Sequence, residues 1–323
     1  MRYLSREDVE GLLDMRTCID TMRGAFLAVA VGKVQAPART VIRVEEQGGF
    51  FGAMPVYAAG YGSAAKVMTI YPGNHDAGIA SHQGYILLFA EEHGEPIALV
   101  EAGSITELRT AAVSGLATEI LANSDAETLC ILGSGVQARS HVKAMCCVRD
   151  IRSIQVWSRT REHAEKFASW ARAETAIETA VRGTAEGALE GADVVCTVTA
   201  AKDPVVSSAW LTSGCHVNAV GSFTPTAREL DSETIQSASL FVDSKASALA
   251  ESGDVLIPVA EGVIDSEHIQ AELAALVTSE SGGRQSPAEL TVFKSLGLAV
   301  EDLAASRAVF DRAVVAGVGT LIP

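Results

Sequence analysis

Two glycines and an alanine carry the clearest chemistry in this chain. The apolar run Thr128-Leu129-Cys130-Ile131-Leu132 reads as a buried strand, and Gly133-Ser134-Gly135-Val136-Gln137-Ala138 follows it directly. A helical pattern begins there, so G-x-G-x-x-A stands in the strand, tight turn, helix-start context that the motif requires. Gly133 permits the turn, Gly135 lets a pyrophosphate approach the backbone, and Ala138 allows close packing of helix on strand. The positive end of the helix favours phosphates. A dinucleotide site is predicted, with Val136 and Gln137 in the same turn.

The next strand selects the dinucleotide. An Asp or Glu about 20 residues further on would hold the ribose hydroxyls of NAD. Here Ile154-Gln155-Val156-Trp157 runs into Ser158-Arg159-Thr160-Arg161, with no acid. A hydroxyl and a guanidinium suit a 2′-phosphate, because Arg grips phosphate with two parallel N–H donors. NADPH is the expected cofactor, with NADH a weaker alternative, and Ser158, Arg159 and Thr160 are expected contacts. Doubly wound sheets bind ligands beyond the C-terminal ends of their strands, which adds Thr199, Ala200, Val220 and Ser222.

These residues need a parallel sheet to position them. Apolar runs at 128–132, 154–157, 193–198, 216–220 and 240–242 alternate with helical stretches, as βαβ crossovers do. A helix is expected over 291–310, and 279–284 reads as a surface loop. The first 35 residues read as helical. Ser5 and Asp8 resemble a capping box ahead of Val9, and Thr17 with Asp20 is expected to cap a second helix. Between Pro37 and Val100, the runs Thr40–Val44, 65–70 and 84–89 suit an antiparallel sheet, in which Arg39 and Lys66 are embedded. Residues 105–121 read as an Ala-rich helix. The expected fold is α/β, a Rossmann-type doubly wound parallel sheet domain at 115–294. An α+β substrate and dimerisation domain is expected from 1–114 with 295–323.

Composition agrees with that scale. A chain of 323 residues suggests roughly two domains and buries about three quarters of its unfolded surface. A hydrophobic share of 48% with 20% charged residues excludes a disordered chain. The net charge of −15 argues against nucleic-acid and anionic-membrane partners, which need a basic footprint. The N-terminus has no apolar signal core, and the apolar stretch 313–323 is too short to span a bilayer. Six cysteines form no C-x-x-C pair, and seven histidines do not cluster at ligand spacing. Reduced thiols, a cytoplasmic location and no metal site are expected.

Several motifs stand in one order: Ala38-Arg39-Thr40, Ala53-Met54-Pro55, Ala65-Lys66, Ser81-His82-Gln83, Arg109-Thr110-Ala111-Ala112, the glycine turn, Glu251-Ser252-Gly253-Asp254 and Phe293-Lys294-Ser295-Leu296-Gly297. Over nearly the whole chain this resembles the ornithine cyclodeaminase/mu-crystallin family. The likeness is greatest to its ketimine reductase branch, including Trp157-Ser158-Arg159-Thr160. The resemblance implies a homodimer built through the N-terminal domain and a small imino or amino acid held between that domain and the nicotinamide. It implies that Arg39, Lys66 and Arg109 grip the substrate carboxylate. A carboxylate in a closed cleft needs paired cations, and Arg supplies them in planar geometry. Lys66 is also the candidate proton donor, with a water as rival. His82 and Glu251 are expected at the substrate pocket, and Ser81, Arg109 and Ser295 on the cofactor side.

Two departures narrow the reaction. The family's cyclodeaminases have an acid where Gly52 stands and an Asp where Phe223 stands. Ornithine cyclisation needs a group to handle the second amine. Without those acids, the expected reaction is reduction of Δ1-pyrroline-2-carboxylate or Δ1-piperideine-2-carboxylate to proline or pipecolate, with Phe223 against the apolar face of a small ring. The alternatives are an ornithine cyclodeaminase or alanine-type dehydrogenase, and a non-catalytic binder of a small ligand. A binder would tolerate loss of Lys66 and Arg109, and both are present.

Overall fold

A computed structural model describes residues 1–323, apart from the side chains of His75 and Asp76. The chain forms two units, Met1–Arg109 with Leu298–Pro323, and Thr110–Gly297.

The first unit is a mixed sheet with helices on one face. Its strands are β1 (Arg2–Leu4), β2 (Val34–Gln35), β3 (Thr40–Val44), β4 (Gly49–Ala58), β5 (Gly62–Ile70), β6 (His82–Phe89) and β7 (Pro96–Glu101). A last strand, Thr320–Leu321, pairs with β1, and β7, β6, β5 and β4 follow in order; β2 and β3 both pair with β4. Neighbours from β4 to β7 are antiparallel, as their Gly- and Pro-punctuated sequence predicts, while β1 runs parallel to β7. β4 escapes a reading by alternation because Gly49, Gly52 and Pro55 interrupt it. Arg39 directly precedes β3 instead of lying inside a strand, since Pro37 lacks the N–H that would extend the ladder.

Side chains alternate faces along each strand. Met54, Lys66, Ile86 and Val100 therefore form one row across β4 to β7, and Ala53, Val67 and Tyr85 lie on the opposite face. The helices Met15–Ala30 and Ala299–Ala316 pack on each other, and the latter also packs on β4, β5 and β6. Met15–Ala30 buries Met15, Cys18, Ile19, Met22, Ala25 and Phe26, a stripe at helical spacing. Its cap is Asp14, not Thr17, because the Asp14 carboxylate reaches the Thr17 N–H three residues on at 2.9 Å. The Ser5–Asp8 capping box is present. Helix Ala102–Leu121 starts earlier than its sequence pattern suggests, because the Glu101 carboxylate accepts from the Gly103 and Ser104 N–H groups at 2.7 and 2.8 Å.

The second unit is a doubly wound parallel sheet. Its strands are β8 (Thr128–Leu132), β9 (Ser153–Trp157), β10 (Glu178–Val181), β11 (Val194–Thr197), β12 (His216–Ala219), β13 (Ser239–Val242), β14 (Ile269–Glu272) and β15 (Thr291–Lys294). The order is β10-β9-β8-β11-β12-β15-β13-β14. Strand order reverses between β8 and β11, the crevice where such folds bind ligands. One expectation fails here: 291–310 does not begin as helix. Thr291–Lys294 is a strand between β12 and β13, and helix starts only at Ala299. All four strand residues are buried, so no alternation marks them, and Gly297 at φ +83° breaks the chain before the helix. Among the described residues no helix is long and apolar enough to cross a membrane.

Candidate active site

Lys66 and Arg109 converge on one carboxylate within the first unit. Alternation turns Lys66 to the helix-covered face of β5, where it is 1% exposed. Its Nζ lies 2.6 Å from Asp302 Oδ2, an ion pair lacking the alignment of a hydrogen bond. Arg109, from helix Ala102–Leu121, donates Nε to Asp302 Oδ1 at 2.9 Å and Nη1 to Glu301 Oε2 at 2.7 Å. Glu301 uses its other oxygen to accept the Leu298 N–H at 3.0 Å, which ties the helix start to the cluster. Both acids occupy a stretch of helix in which every residue from Ala299 to Ser306 is buried. Buried charges of this kind need their partners, because a lone charge in such an interior is costly.

The cluster tunes its own protonation. Burial, followed by the charges of Arg109 and Arg39, lowers the pKa of Lys66 to about 8 against the upward pull of Asp302. Arg39, half-buried, thus lies within electrostatic reach of Lys66. Burial pushes the Asp302 carboxyl up, but Arg109 and then Lys66 more than offset this and keep it ionised. Arg109 loses by burial and gains more from Asp302 and Glu301, so its pKa rises. Lys66 and Arg109 thus face Glu301 and Asp302, two buried cations against two buried carboxylates. His82 opens β6 with its ring in reach of solvent, its Nδ1 3.1 Å from Ser81 Oγ. Partial desolvation and then the Lys66 charge lower its pKa.

In the second unit the glycine turn has the shape its sequence demands. Gly133 sits at φ +122°, and a Cβ there would lie 2.7 Å from Val198 O on the neighbouring loop. Gly135 caps helix Val136–Val148 with no side chain, and nothing lies within 4 Å of where its Cβ would be. Ala138 is fully buried against the sheet, whereas Val136 is exposed and Gln137 half-buried. An open helix start beside a glycine that no other residue can replace fits a dinucleotide pyrophosphate.

The remaining candidates divide by position. Ser134 Oγ donates to Ser158 Oγ at 3.0 Å, joining the glycine turn to the end of β9. Arg159 and Thr160 are exposed, and Arg159 makes no ion pair among the described residues. Arg161 is engaged with Glu165 at 2.8 Å. Thr199 and Ala200 follow β11, and Val220 and Ser222 follow β12. Ser222 Oγ donates to Ala227 O. The Ser295 hydroxyl, 2% exposed, has no hydrogen-bond partner among the described residues. Phe223 is 37% exposed, and Glu251 ends helix Lys245–Glu251 half-buried.

Five charged residues escape a reading of the sequence by type and spacing: Glu301 and Asp302 in the first unit, Glu229, Asp254 and Lys294 in the second. All are 2% exposed or less. A signal exists for four of them, a charge inside an otherwise apolar pattern such as Thr291-Val292-Phe293-Lys294 or Val300-Glu301-Asp302-Leu303. Its partner cannot be inferred, because Arg109 and Asp302 are 193 residues apart.

Comparison with known proteins places this architecture. The profile of the ornithine cyclodeaminase/mu-crystallin family matches residues 2–317. The ketimine reductase mu-crystallin of Mus musculus is 42% identical over 315 residues, 96% of either chain. The Δ1-pyrroline-2-carboxylate reductase of Thermococcus litoralis, solved in complex with NADH and L-proline, superposes with a TM-score of 0.98 at 42% identity over 100% of both chains. An archaeal alanine dehydrogenase dimer with bound NAD gives a TM-score of 0.94 at 32% identity, over 100% of this chain and 99% of that one.

Proposed function

We propose a ketimine reductase activity from one premise: this chain belongs to the ornithine cyclodeaminase/mu-crystallin family. The substrate is a cyclic ketimine acid, Δ1-pyrroline-2-carboxylate or Δ1-piperideine-2-carboxylate, reduced to proline or pipecolate. The observation that carries this reading is the buried convergence of Lys66 and Arg109 on Asp302, with Arg39 in electrostatic reach. When bound, the nicotinamide supplies the hydride that adds to the imine carbon. Arg39 and Arg109 orient the carboxylate, which supplies the proximity term. Lys66, fixed by Asp302, delivers the proton that the imine nitrogen needs; a pKa of about 8 keeps it charged at neutral pH and ready to give the proton up. Gly52 and Phe223, where the family's cyclodeaminases carry acids, argue against handling of a second amine.

On the cofactor side, Gly133, Gly135, Val136, Gln137 and Ala138 hold the pyrophosphate, and Ser158, Arg159 and Thr160 hold the 2′-phosphate of NADPH. Thr199, Ala200, Val220, Ser222 and Ser295 serve the nicotinamide end, together with Ser81 and Arg109. His82, Phe223 and Glu251 serve the substrate. The chain works in the cytoplasm as a homodimer. The dimer reading is supported by the sheet face opposite Lys66, where Ile42, Phe51, Tyr57, Val67 and Tyr85 are all exposed.

The test follows NADPH absorbance with pyrroline-2-carboxylate, with piperideine-2-carboxylate, and with pyruvate plus ammonia; ornithine with NAD is run separately. Oxidation is expected with a cyclic imine. No oxidation with either would overturn the reading. NADPH is expected to bind more tightly than NADH, and Arg159→Ala to cut that preference by about tenfold, the worth of a charge-assisted hydrogen bond. Equal dissociation constants in the unaltered protein would remove the 2′-phosphate site.

A further inference from the structure

Behind the strand ends of the second unit lies a buried charged network with no part in the chemistry described so far. Glu229 is 0% exposed, and four donors converge on its carboxylate. Oε1 accepts from the Thr199 N–H and the Thr199 hydroxyl, and Oε2 from the Thr197 hydroxyl and the Gly221 N–H, each at 2.7 Å. Two of these donors are backbone N–H groups, one on each carboxylate oxygen. Burial pushes the pKa of Glu229 up, with Lys294 opposing.

Those donors come from two loops. Thr197 ends β11 and Thr199 follows it; Gly221 follows β12. The loops approach so closely that a Cβ on Gly221 would fall 2.2 Å from Thr199 O and 2.5 Å from Glu229 Oε1. The segment bearing Glu229 is itself fastened. Asp254 Oδ1 accepts the N–H groups of Glu229 and Leu230 at 2.7 and 3.0 Å. Lys294 Nζ donates to Asp254 Oδ2 at 2.9 Å and to Ser222 O at 2.6 Å. The loop after β12 is thus gripped twice, at the Gly221 amide by Glu229 and at the Ser222 carbonyl by Lys294.

We propose that Glu229 is a positioning residue for the nicotinamide end of the cofactor, drawing the loops after β11 and β12 together, with the Asp254–Lys294 pair bracing it from behind. This rests on the reading that Thr199, Ala200, Val220 and Ser222 serve that end. The adenosine end depends on the glycine turn after β8 and on Ser158 to Thr160, which Glu229 does not touch. Loss of Glu229 therefore has a signature that general loosening of the fold lacks.

The experiment measures dissociation constants for NADPH and for 2′-phospho-ADP-ribose, which is NADPH without its nicotinamide, on the full chain and on Glu229→Gln and Thr197→Val. Glu229→Gln is expected to bind NADPH about tenfold more weakly and 2′-phospho-ADP-ribose within about twofold of the unaltered chain. Thr197→Val removes one donor without adding bulk and is expected to shift NADPH alone, by about threefold. Equal loss of both ligands, or no loss of either, overturns the proposal. Should Glu229→Gln fail to fold, Thr197→Val decides on the same criteria. An unaltered chain that binds NADPH but reduces no imine acid overturns the reaction only, and the binding comparison still stands. An unaltered chain that binds neither ligand overturns the cofactor reading and this proposal with it.

Discussion

Lys66 is the residue whose loss distinguishes chemistry from binding. Lys66→Met is expected to lower kcat/KM for the imine acid by about 10²–10⁴, the usual range for a general acid, and to leave the NADPH dissociation constant unchanged. Wild-type turnover in a folded variant would end its role. The pH dependence follows from its neighbours. A donor must be charged, so turnover holds below about pH 8 and falls as pH rises through that value. Asp302 raises the pKa of Lys66, whereas burial, Arg109 and Arg39 lower it. Asp302→Asn therefore moves the basic limb of the rate profile to lower pH; a limb that stays or rises would remove Asp302 from this role. His82 titrates below its ordinary 6.5 and leaves that limb alone. Arg109→Ala has a further consequence, since it removes a buried cation that both Glu301 and Asp302 face; breaking such a buried pair costs about 3–5 kcal/mol, visible as a lower Tm. The cations are legible in the sequence because the motifs that hold them resemble a known family. The acids are not, because what makes a buried Asp acceptable is a partner nearly two hundred positions away.

At the scale of the element, the glycine turn was the most readable piece. β8 runs from Thr128 to Leu132, and the turn follows as its motif requires. Gly133→Ala is expected to weaken NADPH binding by at least tenfold, since a Cβ must fit both φ +122° and a carbonyl at 2.7 Å. Unchanged affinity measured by fluorescence titration would mean that the loop after β11 yields freely. The strand Thr291–Lys294, expected as the start of a helix, is the least readable. Thr291–Lys294 carries no period, so its neighbours in space, β12 and β13, settle its identity and its sequence does not. Caps show the same limit. Ser5 and Asp8 declare themselves as a capping box, whereas Asp14 faces Thr17 at the position where such a box carries an acid or Gln.

At the scale of the whole molecule, a net charge of −15 coexists with two buried cations, Lys66 and Arg109, and an exposed Arg159. Bulk charge argues against polyanionic partners and says nothing about sites for a small anion. The exposed apolar sheet face yields a prediction at this scale. Val67→Glu is expected to convert a dimer into a monomer, read by light scattering. The substitution leaves the opposite face with Lys66 untouched, so a monomeric protein that keeps its Tm would separate assembly from folding. A protein already monomeric without the substitution would overturn the dimer reading. The face was invisible to sequence reasoning because its apolar residues alternate with core residues on the same strands.

One feature of the chain's layout bears on its birth. The second unit is continuous, Thr110–Gly297, whereas the first is completed only by Leu298–Pro323. During synthesis, Lys66 and Arg109 leave the ribosome long before Glu301 and Asp302 exist. Until that last helix emerges, two cations destined for the interior have no counter-charges, and the face of β4 to β6 that it covers stays wet. The closing contacts span 192 and 193 residues, and the loop entropy of such distant pairings slows their formation. The cluster of Lys66, Arg109, Glu301 and Asp302 is therefore assembled only once Leu298–Pro323 has been made.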